Sequence, residues 1–153
     1  MNWRTAMTAS LQRMVRDASV ETRHQIERLL CQDADDRAWA EQLGPAYRQG
    51  DVARLLGKSR QAVSADRGLL RLEMRDGEIG YPVFQFDGKR QLPGIREVVR
   101  ALAPSVASEW TIASWLTSPC TELEKRSPLT ALRDGEQDRV TALAASLAGA
   151  LRD

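Results

Sequence analysis

Apolar positions recur at helical spacing through most of the 153-residue chain, and one central stretch alternates instead. In residues 1 to 44, Met7, Leu11, Met14, Val15 and Ala18 form one stripe, Ile26, Leu29 and Leu30 a second, and Trp39 with Leu43 a third before Gly44-Pro45. This spacing predicts three helices, whose stripes fit packing on a neighbouring unit and a dimer interface equally well. From Val52 to Leu70 two short helical patterns meet across Gly57-Lys58-Ser59, the layout of a helix-turn-helix. Ala53 permits close helix approach, Gly57 a tight corner, and Val63 a buried contact. Ser59 can accept hydrogen bonds from the first free N–H groups of the second helix, which places that helix's start at Arg60. Arg60, Ser64, Arg67 and Arg71 then fall on one exposed stripe with Gln61 beside it, while Val63 and Leu70 face inward. Asp66 departs from the pattern, because an apolar residue is usual there.

Alternation follows, with Leu72 and Met74, a turn at Asp76-Gly77, an extended run from Tyr81 to Phe86, and a second turn at Asp87-Gly88. This predicts a small hairpin or wing. Pro82 lacks an N–H, so the second strand is expected at an edge or irregular at its start. Tyr81, Phe84 and Phe86 suit closure of a small core beneath the wing better than a platform for stacked bases. Helical spacing returns after Leu92-Pro93-Gly94, with Ile95, Val98, Val99 and Leu102 as one face ended by Pro104. Trp110, Ile112, Trp115 and Leu116 mark another helix, broken at Ser118-Pro119. Ser127-Pro128 opens a short helix that Gly135 ends, and Val140, Leu143, Ala144, Leu147 and Leu151 give the final helix one apolar face. The predicted fold is mainly α, with a helix-turn-helix unit, a small β-hairpin and a C-terminal helical domain. The expected divisions are residues 1–44, 45–103 and 104–153.

Charge sharpens this layout. Residues 45 to 100 hold 11 Lys and Arg against 7 Asp and Glu, a net +4, whereas 101 to 153 hold 5 against 7, a net −2. The basic segment therefore contains the helix-turn-helix, which suits a polyanionic partner there and a different partner elsewhere. No apolar run approaches the roughly 20 residues that span a bilayer, and the N-terminus lacks the apolar core of a signal peptide, so a cytoplasmic, non-membrane protein is expected. Cys31 and Cys120 lack metal-ligand spacing and are expected to be reduced thiols. His24 reads as a surface histidine, and no phosphate loop, metal motif or nucleophile elbow marks a catalytic site. A binding module without cofactors is expected, not an enzyme.

The chemistry of the exposed stripe fits a DNA major groove, where Arg reaches the guanine acceptors with two hydrogen bonds and Gln pairs with adenine. The candidate DNA-contacting residues are Lys58, Ser59, Arg60, Gln61, Ser64 and Arg67, with Lys58 placed for phosphate. The same stripe also fits a basic face that simply meets water. Lys89 and Arg90, at the second turn, fit phosphate contact and solvated turn residues alike.

The arrangement of Trp115, Ser118-Pro119, Leu123, Lys125-Arg126-Ser127-Pro128-Leu129, Ala131-Leu132, Asp134-Gly135 and Val140 resembles the C-terminal toxin-binding domain of the Xre/MbcA/ParS-type antitoxins. The helix-turn-helix followed by Tyr81-Pro82-Val83-Phe84-Gln85-Phe86-Asp87-Gly88 and Leu92-Pro93-Gly94 is similar to the DNA-binding half of actinobacterial members. Together these cover roughly residues 45 to 153, and the ordered combination is more specific than any single motif. The resemblance implies an antitoxin that binds a RES-domain, NAD-consuming toxin and represses its own operon by binding operator DNA. It implies toxin contacts at Trp110, Trp115 and the tail Leu151, Arg152 and Asp153, which would approach the toxin's cleft. By spacing alone, both tryptophans read as core. A two-fold operator further implies a homodimer or higher even oligomer. A stand-alone transcriptional regulator, and an interaction module without DNA binding, remain the alternative readings.

Overall fold

The computed structural model describes residues 43–74 and 76–152. The helices expected before Leu43, His24, Cys31 and the terminal Asp153 lie outside the described residues. The order is β1 (Ala46–Tyr47), α1 (Gln49–Leu56), α2 (Arg60–Ala65), β2 (Leu72–Glu73), β3 (Ile79–Pro82), a 3-10 turn (Val83–Gln85), β4 (Phe86–Asp87), β5 (Arg90–Gln91), α3 (Ile95–Leu102), α4 (Glu109–Thr117), α5 (Pro128–Arg133) and α6 (Gln137–Arg152). The fold is mainly helical with small antiparallel sheets, as the periodicity predicts.

Two apolar clusters organise it. The smaller holds Val52, Ala53, Val63, Leu69 and Tyr81, and so joins both helices of the helix-turn-helix to the sheet. The larger runs from Leu43, Leu70 and Leu72 through the buried faces of α3, α4, α5 and α6. The residues expected to face inward on α3, Ile95, Val98, Val99 and Leu102, are all buried, and α3 packs chiefly on α6. α3, read from the sequence with the middle unit, therefore shares its core with the C-terminal helices. On α6 the deeply buried positions are Val140, Ala144 and Ala148, with Leu143, Leu147 and Leu151 half-buried at the margin of the core.

The sheet corrects one expectation. β3 is the central strand of a three-stranded sheet ordered β1-β3-β2, with Pro82 at its last residue opposite Ala46. The reason is β1, only two residues long and set against the Gly44-Pro45 stop, too short to leave a period. The two glycine turns close separate hairpins: Asp76-Gly77 lies between β2 and β3, and Asp87-Gly88 between β4 and β5. Both turn glycines have positive φ, 82° and 63°, where a side chain would be strained. The aromatic run is divided between the clusters, Tyr81 and Phe86 facing the smaller and Phe84 the larger. Tyr47 and Phe86 pack with ring centres 5.7 Å apart.

Candidate nucleic-acid interface

The helix-turn-helix forms as its residues require. Gly57 caps α1 in the left-handed region at φ 66°, and its turn brings Val52 and Val63 together at full burial. The Ser59 hydroxyl accepts the Ala62 N–H at 3.1 Å, so α2 does start at Arg60. Gln49 donates to the Arg60 carbonyl at 2.7 Å and fixes the same corner from α1. Val63 is the buried residue of α2, which leaves Arg60, Gln61 and Ser64 exposed, with Lys58 just ahead of them.

The predicted stripe is shorter than expected. α2 ends at Ala65, and Asp66 is its C-cap, so Arg67 and Arg71 belong to the connector that follows. Arg71 turns back to donate to the Ser64 carbonyl at 3.0 Å. Asp66, the departure from the usual pattern, takes two hydrogen bonds of 2.7 Å from Arg96 of α3. It also accepts the Gly68 N–H at 2.9 Å. The guanidinium beside it holds the Asp66 carboxyl below its ordinary pKa, because two short bonds favour the charged form against partial burial. The adjacent Gly68 leaves the space that Arg96 occupies.

Gln85 is the residue that the periodicity misses. Fully buried, it accepts the Leu70 N–H at 2.9 Å and donates to the Leu70 carbonyl at 2.7 Å, so its amide acts as a substitute peptide for a piece of chain with no strand partner. Gln91 donates both to Gly68 O, at 2.8 Å, and to Gln85 Oε1, at 3.2 Å. The connector carrying Arg67 and Arg71 is thus held by side-chain amides. No period in the sequence marks such a role.

A groove of about 740 Å³ lies between the start of α1 and α2 and the β2–β3 turn, lined by Arg48, Gly50, Arg54, Arg60, Gly77 and Glu78 among others. Arg48 pairs with Glu78 and, at 4.0 Å, with Asp76, and Arg54 pairs with Asp51 at 2.5 Å. Arg60 lies over Gly50, whose missing side chain makes room for the guanidinium. Among the described residues no carboxylate pairs with Arg60, so its charge is the one left uncompensated in the groove. The β2–β3 turn carries the exposed Asp76 and Glu78, both paired with Arg48, whereas Lys89 and Arg90 stand exposed on the other hairpin.

The residues expected at a partner-protein surface do not form one cluster. Trp115 is 5% exposed within the larger core, and its Nε1–H is buried without an acceptor among the described residues. It lines a small cavity of about 30 Å³ with Cys120, Glu122, Leu147 and Ala150, which brings it near the end of α6, where Leu151 is half-buried and Arg152 exposed. Trp110 stands elsewhere, facing the sheet, and donates from Nε1 to the Glu73 carbonyl at 3.1 Å. The Ser127 to Gly135 pattern has a local structural account. Ser127 caps α5 by accepting the Thr130 N–H at 3.1 Å, Pro128 opens the helix, and Arg126 bridges Asp134 at 3.0 Å and also Glu136.

No helix among the described residues is long and apolar enough to cross a membrane, and no group of residues there has the makings of a metal site. No protein-family model matches the chain, and no curated protein matches it. Among solved structures the chain is similar to the NMR structure of Rv2175c, with a TM-score of 0.58 and 21% identity, over 68% of this chain and 81% of that one. The likeness establishes a shared fold.

Proposed function

We propose that the chain binds operator DNA through α2 and that its C-terminal helices neutralise a RES-domain toxin, making it the autorepressing antitoxin of a toxin–antitoxin pair. The observation that carries the DNA half is the exposed Arg60, Gln61 and Ser64 face of a capped helix beside Lys58, where Arg60 has no carboxylate partner among the described residues. Such a face offers donors to base edges, and Lys58 offers charge to phosphate. The toxin half is supported by the ordered resemblance of residues 110 to 153. In this reading Arg152 is the exposed contact and Trp115 shapes the wall behind it, since a residue 5% exposed adds little area of its own. No catalysis by the chain is involved.

A stand-alone regulator is the second reading. It is favoured by the local roles of Ser127, Pro128 and Asp134, which account for that pattern without a partner.

The test titrates the full chain on duplex from upstream of its own gene and on random duplex, across salt concentrations. Arg60→Ala is expected to cost about 1 to 3 kcal/mol on the cognate site only, and Lys58→Ala to weaken both alike. Equal losses on both duplexes for Arg60→Ala would refute base readout. Co-expression with a neighbouring RES-type toxin separates the two readings: rescue of growth and cellular NAD supports the antitoxin, and no complex with such a toxin leaves the regulator. Dimers or higher even assemblies are expected by light scattering, and a monomer both free and on DNA would exclude them.

A further inference from the structure

A second cleft, of about 600 Å³, lies between the connector after α2 and the start of α4, and its chemistry differs from that of the Arg60 groove. Arg67 and Arg71 line it from the connector, Glu73 from β2, and Ser108, Glu109 and Trp110 from α4 and its cap. Neither arginine makes an ion pair with a described carboxylate, and the bond from Arg71 to the Ser64 carbonyl uses one of the five N–H donors of its guanidinium. Trp110 is held in place by its bond to the Glu73 carbonyl, which fixes an aromatic wall. Burial pushes the Glu109 carboxyl up to about 7 even though Arg71 and Arg67 pull it down, so near neutral pH it carries only part of a negative charge against the guanidinium groups opposite. The other ionisable groups around it are Glu73, which is exposed, and the buried Tyr81 on β3. The volume is that of a small-molecule site, with both arginines on the connector side and Trp110 among the residues of α4.

We propose that this cleft binds a small organic phosphate, its phosphoryl oxygens bridged by Arg67 and Arg71 and its organic part against Trp110. Paired guanidinium groups match a phosphate dianion in charge and in fork geometry, which one arginine meets only in part. A compact ligand is favoured over a duplex backbone because Arg71 is half-buried and held back on the Ser64 carbonyl. A ligand here would touch the α2 connector and the helical bundle at once, and so set how firmly the two are joined.

Calorimetric titration of the full chain with phenyl phosphate and with inorganic phosphate tests this, followed by amide and indole NMR shifts. Phenyl phosphate is expected to bind more tightly than inorganic phosphate by roughly fivefold, with the Trp110 indole signal displaced. Arg67→Gln and Arg71→Gln are each expected to weaken it by about tenfold. Arg67 is exposed and makes no hydrogen bond or ion pair among the described residues, so its variant carries the test if Arg71→Gln alters the connector. Unchanged affinity in Arg67→Gln overturns the proposal, as does absence of binding by phenyl phosphate. A loss in Arg67→Gln seen only for random duplex, with phenyl phosphate inert, would assign the arginine to backbone contact instead and equally overturn it.

Discussion

The helix-turn-helix unit and the C-terminal bundle are stabilised in different ways. The bundle buries broad apolar faces of α3, α4 and α6 against one another, so its geometry follows from periodic residues. The smaller unit has five fully grouped core residues, and the stretch from Asp66 to Leu70 is positioned by polar side chains: Arg96 on Asp66, Gln91 on Gly68 and Gln85 on Leu70. Apolar packing tolerates small shifts, whereas directed hydrogen bonds fix a backbone at one place. The connector that carries Arg67 and Arg71 is fixed by the second means, whereas Trp115 and Arg152 belong to the bundle.

Four substitutions test that contrast. Leu116→Ala, in the bundle core, is expected to cost about 3 to 4 kcal/mol, since a fully buried leucine leaves both lost transfer energy and a cavity. Chemical denaturation would show it, and a loss below about 1 kcal/mol would mean the bundle repacks freely. Gln85→Leu is expected to cost about 3 kcal/mol despite being apolar, because it strands the buried Leu70 N–H and carbonyl. If Gln85→Leu proved neutral, the connector would owe its position to packing and the contrast would collapse.

Asp66→Asn is expected to cost about 1 to 2 kcal/mol, through loss of a two-bond ion pair that is partly shielded from water. Its pH signature has a definite sign. The folded carboxyl ionises more readily than the unfolded one, whose pKa is 3.8, so the stabilisation is complete above that value and is lost as pH falls through the lower folded one. The wild type should show this acid-side loss and Asp66→Asn a smaller one, the remainder coming from Glu124 and Glu136, whose carboxyls Arg139 and Arg126 also lower. Glu109 has the smallest and opposite effect. Its folded pKa lies above the unfolded 4.5, so its contribution is complete below that pH and is lost as pH rises through about 7. Glu109→Gln should flatten stability between those values, and an unaltered slope would show that another group titrates there.

Sequence reasoning recovers what is periodic or punctuated. The α1–α2 corner was legible from Gly57 and Ser59, the α3 face from Ile95 to Leu102, and the start of α5 from Ser127-Pro128. It extended the α2 stripe too far, because Arg67 and Arg71 keep helical spacing beyond a helix that Asp66 has already ended. The cause is a partner 30 residues away, Arg96, which no local pattern announces. β1 escaped notice since two residues carry no alternation, and Gln85 because a buried amide within an apolar run looks like an ordinary strand residue. Of the candidate site, the helix start and cap were legible at Ser59 and Arg60, while Arg67 and Arg71 lie on the connector after α2 and not on its stripe.

The amide of Gln85 has a consequence for substitution through descent. Glutamate would bring a charge and lose the donor, asparagine would fall short, and an apolar residue would leave both groups of Leu70 unmet. Position 85 therefore admits almost no single-step replacement unless the Asp66–Leu70 path is rebuilt with it. Glutamine at this place is a marker of the connector's shape. In a set of relatives, a change at 85 should travel with changes in that path, and the arginines of the cleft should then lose their alignment as well.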